Sequence, residues 1–243
     1  MSAQSRAGAA RLVLIRHGES EWNAKNVFTG WADPPLSVLG EQQSRQAGLL
    51  LAARGLAPDR LHTSLLRRAV ATGYLLSDAA ERPWVPVSRS WRLNGRHYGA
   101  LQGMDKDVAH REYDAERVAA WRRSYAAVPP GVGAAVRAAT AADPRYARLP
   151  AELVPASESL RDTKLRLLSY WYDVLVPQLR RGLTVAVVSH GGTLRALIMH
   201  LDRLGAAEIE RVEVDHGVPL LYELDGNLRP LCPGGVPLPQ TAP

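Results

Sequence analysis

Two short apolar runs, each ending in a histidine and a glycine, constrain the fold of this chain more than any other feature. Leu12-Val13-Leu14-Ile15 leads into Arg16-His17-Gly18, and Val185-Ala186-Val187-Val188 leads into Ser189-His190-Gly191-Gly192. Apolar, partly β-branched runs of this length bounded by glycine read as buried strands. Thr193-Leu194-Arg195-Ala196-Leu197-Ile198, after the second run, reads as helix. In open α/β sheets the ligand crevice lies at the carboxyl ends of the strands. His17 and His190, at two strand ends far apart in sequence, are therefore expected to share one site.

The order of elements agrees with this. Ser37 is a helix cap for a segment carrying Leu39, Ala47, Leu50 and Leu51 and ending before Gly55. Arg60-Leu61-His62-Thr63 reads as a strand, Leu65 to Asp78 as a helix, and Trp84-Val85-Pro86-Val87 as a third strand. Such alternation predicts an α/β fold, a mostly parallel sheet with helices on both faces. Residues from about 104 to 156 hold short helical pieces broken by Val128-Pro129-Pro130-Gly131 and Asp143-Pro144, an insertion over the carboxyl edge of the sheet. A long helix is expected over residues 157 to 181, and a last strand over Pro219 to Leu224. The length of 243 residues suits one domain, residues 1–230, followed by an irregular tail, 231–243.

Composition narrows the function. The apolar runs are too short for a signal peptide or a membrane span, which points to a soluble cytoplasmic protein. The single cysteine, Cys232, excludes an intramolecular disulfide and a cysteine-based metal cluster. No Asp/Glu/His group has metal-ligand spacing, so no metal is expected. The net charge is +6, carried almost wholly by arginine, with lysine only at 25, 106 and 164. Arginine's planar fork suits bidentate recognition of phosphate and carboxylate. Without an aromatic-interleaved basic stripe, a small phosphorylated anion is favoured over nucleic acid.

His17 follows an arginine on a glycine turn, where backbone N–H groups and the guanidinium can cradle a phosphoryl group while the imidazole attacks it. That tripeptide alone also fits a structural histidine. Its continuation decides between them: Glu19-Ser20-Glu21-Trp22-Asn23, Phe28-Thr29-Gly30-Trp31 and Leu36-Ser37, then Thr63-Ser64-Leu65-Leu66-Arg67-Arg68-Ala69, Leu93-Asn94-Gly95-Arg96-His97-Tyr98-Gly99, Trp121-Arg122-Arg123, Asp143-Pro144-Arg145-Tyr146, Glu158-Ser159-Leu160 and Ser189-His190-Gly191. Over roughly residues 11 to 225 the chain resembles the cofactor-dependent phosphoglycerate mutases of the histidine phosphatase superfamily. The resemblance implies a three-layer αβα fold and a phosphohistidine at His17, with His190 stabilising the transferring group and Arg16 and Arg68 clamping the phosphate. It further implies that Asn23, Thr29, Gly30, Gly191 and Gly192 line the same pocket, and that Arg96, Tyr98, Lys106, Arg122 and Arg123 hold the substrate carboxylate and second phosphate. Without that pattern, Arg122 and Arg123 would pass for a solvated helix face and Tyr98 for core. Also implied are 2,3-bisphosphoglycerate as phosphoryl primer, no metal, and a homodimer or homotetramer.

The chain departs from the family at the pocket. Where the family has the Glu that exchanges a proton with the substrate hydroxyl, this chain has Gly95. The family's His-Gly-Asn becomes His190-Gly191-Gly192, and its Pro-Thr-Gly becomes Asp215-His216-Gly217. The family's lysine-bearing tail with Tyr-Leu-Gly is replaced by Pro237-Leu238-Pro239-Gln240. Three readings follow: a mutase-type phosphotransferase, a phosphatase in which water takes the phosphoryl group, and a silent phosphometabolite-binding protein. Asp215 or His216 is a candidate for the missing proton transfer or for contact with a different substrate; a surface turn is the alternative.

Overall fold

The computed structural model describes residues 10–238. Six strands form one mixed sheet: β1 (Ala10–Arg16), β2 (Arg60–Thr63), β3 (Val87–Arg89), β4 (Thr184–Ser189), β5 (Pro219–Leu224) and β6 (Val236–Pro237), in spatial order β3-β2-β4-β1-β5-β6. β3, β2, β4 and β1 are parallel, whereas β5 runs antiparallel to β1 and β6 antiparallel to β5. The helices are α1 (Glu21–Ala24), α2 (Val38–Ala53), α3 (Arg67–Ala79), α4 (Lys106–Glu112), α5 (Ala115–Arg123), α6 (Ala134–Ala142), α7 (Leu160–Tyr170), α8 (Val176–Leu179) and α9 (Gly191–Leu201).

Strand alternation explains the three layers. Leu12 and Leu14 of β1, with Val185 and Val187 of β4, pack in one core with Leu160 and Leu167 of α7 and Leu194 and Leu197 of α9. Val13, Ile15, Ala186 and Val188 face the other way, against Ala47 and Leu51 of α2 and Ala69 and Leu76 of α3. Side chains alternate faces with period two, so near-continuous apolar runs are what a sheet covered on both sides requires. The expected αβα architecture is observed.

The strands β1 and β4 run a residue or two beyond their apolar runs and α3 begins at Arg67 rather than Leu65; three larger differences have physical causes. The third strand begins at Val87 rather than Trp84, because the Val85 N–H closes a turn onto Arg82 O and Pro86 has no N–H for a ladder. The helix expected over 157–181 starts at Leu160, where Ser159 and Asp162 form a reciprocal capping box, and it widens into a π turn at Trp171–Leu175. Pro177 cannot donate to the carbonyl four residues back, and the widened turn lies directly before it. The tail after Pro230 is not wholly irregular: Val236 and Pro237 pair with Leu221 and Leu220, and Leu238 is buried beside Val13 and Ile15. Residues 239–243 lie outside the described residues.

The loop after β1 is held by helices on one side of the sheet. Gly18 N–H donates to Thr72 Oγ1 at 3.0 Å, Glu19 N–H to Gln43 Oε1 at 2.8 Å, and Ser37 N–H to Glu19 O at 2.9 Å. This proximity needs two glycines: a Cβ on Gly18 would lie 2.1 Å from Gly40 O, and one on Gly40 would lie 1.9 Å from Glu19 O. In an ordinary helix Gly→Ala gains about 0.5–1 kcal/mol. Gly40→Ala is expected to do the opposite, losing about 1–3 kcal/mol through overpacking against backbone, as measured by urea unfolding; a stabilised variant would contradict the packing.

Candidate active site

The carboxyl ends of β1 and β4 lie side by side. Arg16 is registered against Ser189, and His17 N–H continues the ladder to Ser189 O at 2.9 Å. His17 and His190 are thereby placed with ring centroids 4.9 Å apart. Together they line a cavity of about 180 Å³ whose wall includes Arg16, Asn23, Thr29, Gly30, Arg68, Gly95, Arg96, Tyr98, Lys106, Arg122, Arg123, Gly191 and Gly192. All fourteen residues named from the sequence as site residues therefore meet there. Val27, Phe28, Arg195 and Glu213 complete the wall.

His17 is held in one tautomer. Its Nδ1 lies 2.6 Å from Gly18 O, and a carbonyl can only accept, so Nδ1 carries the proton and Nε2 the lone pair. Arg68 Nε donates to that lone pair at 3.2 Å, while its Nη1 and Nη2 donate to Ala32 O and Gly30 O, each at 2.8 Å. Burial, followed by the nearby Arg68, His190, His216 and Arg16, pushes the His17 pKa well below the ordinary histidine value. The ring is therefore neutral at pH 7, as a nucleophile must be. Burial pushes Arg68 down to about 10, which leaves it cationic. Gly30 is at φ +55°, and a Cβ there would meet Gln102 Oε1 at 2.1 Å, so glycine alone lets this turn offer its carbonyl to Arg68.

His190 caps α9, and Gly191 and Gly192 begin that helix at the cavity wall, where unpaired backbone N–H groups favour anions. His190 Nε2 is 2.8 Å from Ser64 Oγ, while its buried Nδ1 has no partner. Arg16 Nε, both Arg96 Nε and Nη1, and Arg195 Nε are likewise buried and unpartnered. Most of the donors that are satisfied bind carbonyls: Arg16 Nη1 to Val214 O, Arg96 Nη2 to Arg122 O, and Arg195 Nη2 to Arg123 O and Ile209 O. Burial would raise the Tyr98 pKa, but the charge and hydrogen bond of Arg96, with Arg122 and Arg195, outweigh it and hold the phenol below its usual value. Burial and Arg122 lower Lys106.

Gly95 is fixed through its carbonyl, which accepts from Trp31 Nε1 at 2.7 Å and Arg166 Nη2 at 3.0 Å. A Cβ at this position would stand 3.2 Å from Gly30 O and 3.3 Å from His190 Cγ, close enough to require a shift of a few tenths of an ångström. His216 lies beside His17, rings 5.3 Å apart, with its Nδ1 2.8 Å from His17 O. Burial and Arg16 push its pKa down to about 4. Asp215 is exposed and is not part of the cavity wall. His62 is a core group between Tyr170 Oη and Gln178 Oε1. Among the described residues no group of three His, Cys, Asp or Glu side chains is placed to hold a metal ion, and no helix is long and apolar enough to cross a membrane.

Ser64, Arg166, Arg195 and Glu213 were not singled out from the sequence as site residues. Ser64 and Arg195 lay inside quoted motifs, whereas Arg166 reads as one more charged helix position. In the structure the Arg166 side chain is 7% exposed, pairs with Glu158 at 2.6 Å and also binds the carbonyls of Arg92, Asn94 and Gly95.

Residues 12–141 and 136–227 match the family model of the histidine phosphatase superfamily, branch 1. The chain belongs to this superfamily. It is 50% identical over 225 residues to a 2,3-bisphosphoglycerate-dependent phosphoglycerate mutase of Streptomyces avermitilis, covering 93% of this chain and 89% of that protein. A phosphoglycerate mutase of Mycobacterium leprae with the same dependence is also 50% identical, over 226 residues, with coverage of 93% and 91%. Among solved structures, a mycobacterial glucosyl-3-phosphoglycerate phosphatase is similar, with a TM-score of 0.68, 25% identity, and coverage of 88% of this chain and 92% of that one. The proteins similar to this chain thus include ones named as mutases and one named as a phosphatase.

The buried histidines make stability depend on pH. His97 and His216 are pushed down to about 4, both chiefly by burial, and His17 and His190 are also lowered. Their unfolded pKa is about 6.5, so below that value the unfolded chain binds more protons than the native one. Stability is accordingly greatest above about pH 6.5 and falls as pH is lowered toward 4. Urea midpoints should drop between pH 7 and pH 5; a constant midpoint would contradict the burial of neutral histidines.

Proposed function

We propose that the protein transfers phosphoryl groups through a phosphohistidine at His17, in the manner of a phosphoglycerate mutase acting on a small phosphorylated carboxylate or a related phosphomonoester. One observation carries this reading: the Nε2 lone pair of a neutral His17 lies in the cavity within reach of the Arg68 guanidinium. In the first half-reaction Nε2 attacks phosphorus, the N–P bond forms, and the P–O bond breaks with its electron pair going to the leaving oxygen, which takes a proton from water. Arg16, Arg68 and the unpartnered Nδ1 of His190 supply donors for the equatorial oxygens, where charge spreads in the transition state. In the second half-reaction a hydroxyl oxygen attacks the same phosphorus and gives its proton to water, while the N–P bond breaks and its electron pair returns to Nε2.

The donor set also suits the primer named for the relatives. Arg16, Arg68, Arg96 and Arg195 would hold the anionic groups of 2,3-bisphosphoglycerate, which supplies a phosphoryl group when bound. What Gly95 lacks is a side chain to exchange a proton with the leaving or attacking hydroxyl. A positioned acid/base contributes about 10²- to 10⁴-fold, so both half-reactions of a mutase cycle are expected to be slowed. The same gap supports a second reading, phosphomonoester hydrolysis, in which water takes the place of the second hydroxyl.

His17→Ala should abolish the phosphoenzyme, as detected by intact-protein mass spectrometry after brief exposure to 2,3-bisphosphoglycerate or 3-phosphoglycerate; surviving turnover would refute the nucleophile. Gly95→Glu should raise 3- to 2-phosphoglycerate conversion at least about tenfold in a phosphorus NMR time course. Free phosphate without 2-phosphoglycerate, in both the parent and the Gly95→Glu protein, would favour the hydrolase.

A further inference from the structure

Ser64 directly follows β2, is fully buried, and has no part in the phosphoryl transfer described above. Its hydroxyl has two neighbours: Leu66 N–H donates to Oγ at 3.2 Å, and His190 Nε2 stands 2.8 Å from it. The loop that carries Ser64 is pinned to the turn beside Gly95. Leu65 N–H donates to Asn94 Oδ1 at 3.0 Å, and Asn94 Nδ2 donates to the buried Tyr146 Oη at 2.8 Å. A hydroxyl has one proton to donate and two lone pairs. Among the described residues Nε2 is the only acceptor bonded to this hydroxyl, so Ser64 donates to Nε2. The opposite assignment, with the proton on Nε2, would make Oγ accept twice and leave its own proton buried without an acceptor.

We infer that Ser64 is a positioning residue: its hydroxyl fixes the proton of His190 on Nδ1 and so keeps that N–H ready as a donor to the phosphoryl group moving to or from His17. This rests on the reading of His17 as the phosphoryl acceptor. Three observations support it. His190 lines the cavity, and its buried Nδ1 has no partner within the protein. Burial, then Arg68, Arg166 and Arg16, pushes the His190 pKa well below its ordinary value, so the ring is neutral and carries one proton, whose place the Ser64 bond decides. The two site histidines are also set by complementary bonds. Gly18 O, which only accepts, keeps the His17 proton on Nδ1 and its lone pair on Nε2; the Ser64 hydroxyl, which donates, keeps the His190 lone pair on Nε2 and its proton on Nδ1. One ring thus attacks phosphorus while the other offers a proton to its oxygens. In the other tautomer a lone pair on His190 Nδ1 would meet the anionic oxygens and forfeit that hydrogen bond.

Long-range nitrogen-proton NMR of the ¹⁵N-labelled protein without ligand reads the tautomer directly, with the His190 signals identified by their loss in His190→Asn. The expected result is a proton on Nδ1 in the parent and in Ser64→Thr, and a mixture of tautomers in Ser64→Ala, where nothing holds the lone pair at Nε2. Rapid-quench mass spectrometry with 2,3-bisphosphoglycerate then gives the rate of phosphoenzyme formation. At saturation that rate is expected to fall at least about tenfold in Ser64→Ala, with half-saturation little changed, and to return toward the parent value in Ser64→Thr. A proton on Nε2 in the parent would overturn the assignment, whether or not any variant folds. So would an unaltered tautomer in Ser64→Ala, or an altered one with no loss of rate. A parent that forms no phosphoenzyme would refute the reading of His17 instead, and the tautomer comparison would then decide the Ser64 assignment alone.

Discussion

The parallel pairing of β1 with β4 is the constraint on which the rest of the structure depends. Its register runs from Arg11 against Thr184 to Arg16 against Ser189, and the next residue on each strand is a site histidine. A slip of one residue would turn every side chain of the strand to the opposite face. Leu12 and Leu14 would then leave the α7 and α9 side, Val13 and Ile15 would leave the α2 and α3 side, and His17 would lose its place beside His190. Two separate cores therefore enforce the geometry of the site, because each buries alternate residues of the same two strands.

The second constraint is electrostatic. Burying guanidinium groups is costly unless their donors are satisfied. Here carbonyls do most of that work: Gly30 and Ala32 for Arg68, Val214 for Arg16, and Arg122, Arg123 and Ile209 for Arg195. Carbonyl dipoles orient a cation without cancelling its charge, so the positive field survives for an incoming phosphate. Two carboxylates do pair with arginine near the site: Glu158 with Arg166 behind the Gly95 turn, and Glu213 with Arg123 at the cavity wall. The cationic field and the neutral His17 are mutually supporting, since nearby guanidinium groups help keep the imidazole unprotonated.

Much of this was legible in the sequence because it is local. Strand runs at Leu12 and Val185, the Ser37 cap and the helix after His190 each announce themselves within a few residues. The site residues were legible for another reason: their motifs resemble a known family, and the cavity gathers all fourteen. Less legible were features that depend on contacts between distant segments. Arg166 looks like a solvated helix charge until Glu158 and the carbonyls of residues 92, 94 and 95 surround it. Ser64 gains its role only when β2 brings it to His190, and Glu213 only when α5 presents Arg123. Of the two residues that replace the family's Pro-Thr, only His216 meets His17, and nothing in the local sequence distinguishes it from its exposed neighbour Asp215. The strand at Val236–Pro237 escaped notice because a proline-rich segment has weak strand character of its own and is ordered by the edge of β5.

The chemistry of the site turns on which nitrogen of His17 receives the phosphoryl group. The hydrogen bond from Nδ1 to Gly18 O commits that atom to its proton and leaves the Nε2 lone pair as the acceptor of Arg68 Nε, a bond that yields when Nε2 attacks phosphorus. Long-range nitrogen-proton NMR of the phosphorylated, ¹⁵N-labelled protein distinguishes the two isomers directly. Attachment of phosphorus at Nε2 of His17 is the predicted result. Attachment at Nδ1, or on any other residue, would contradict the arrangement of the site described above.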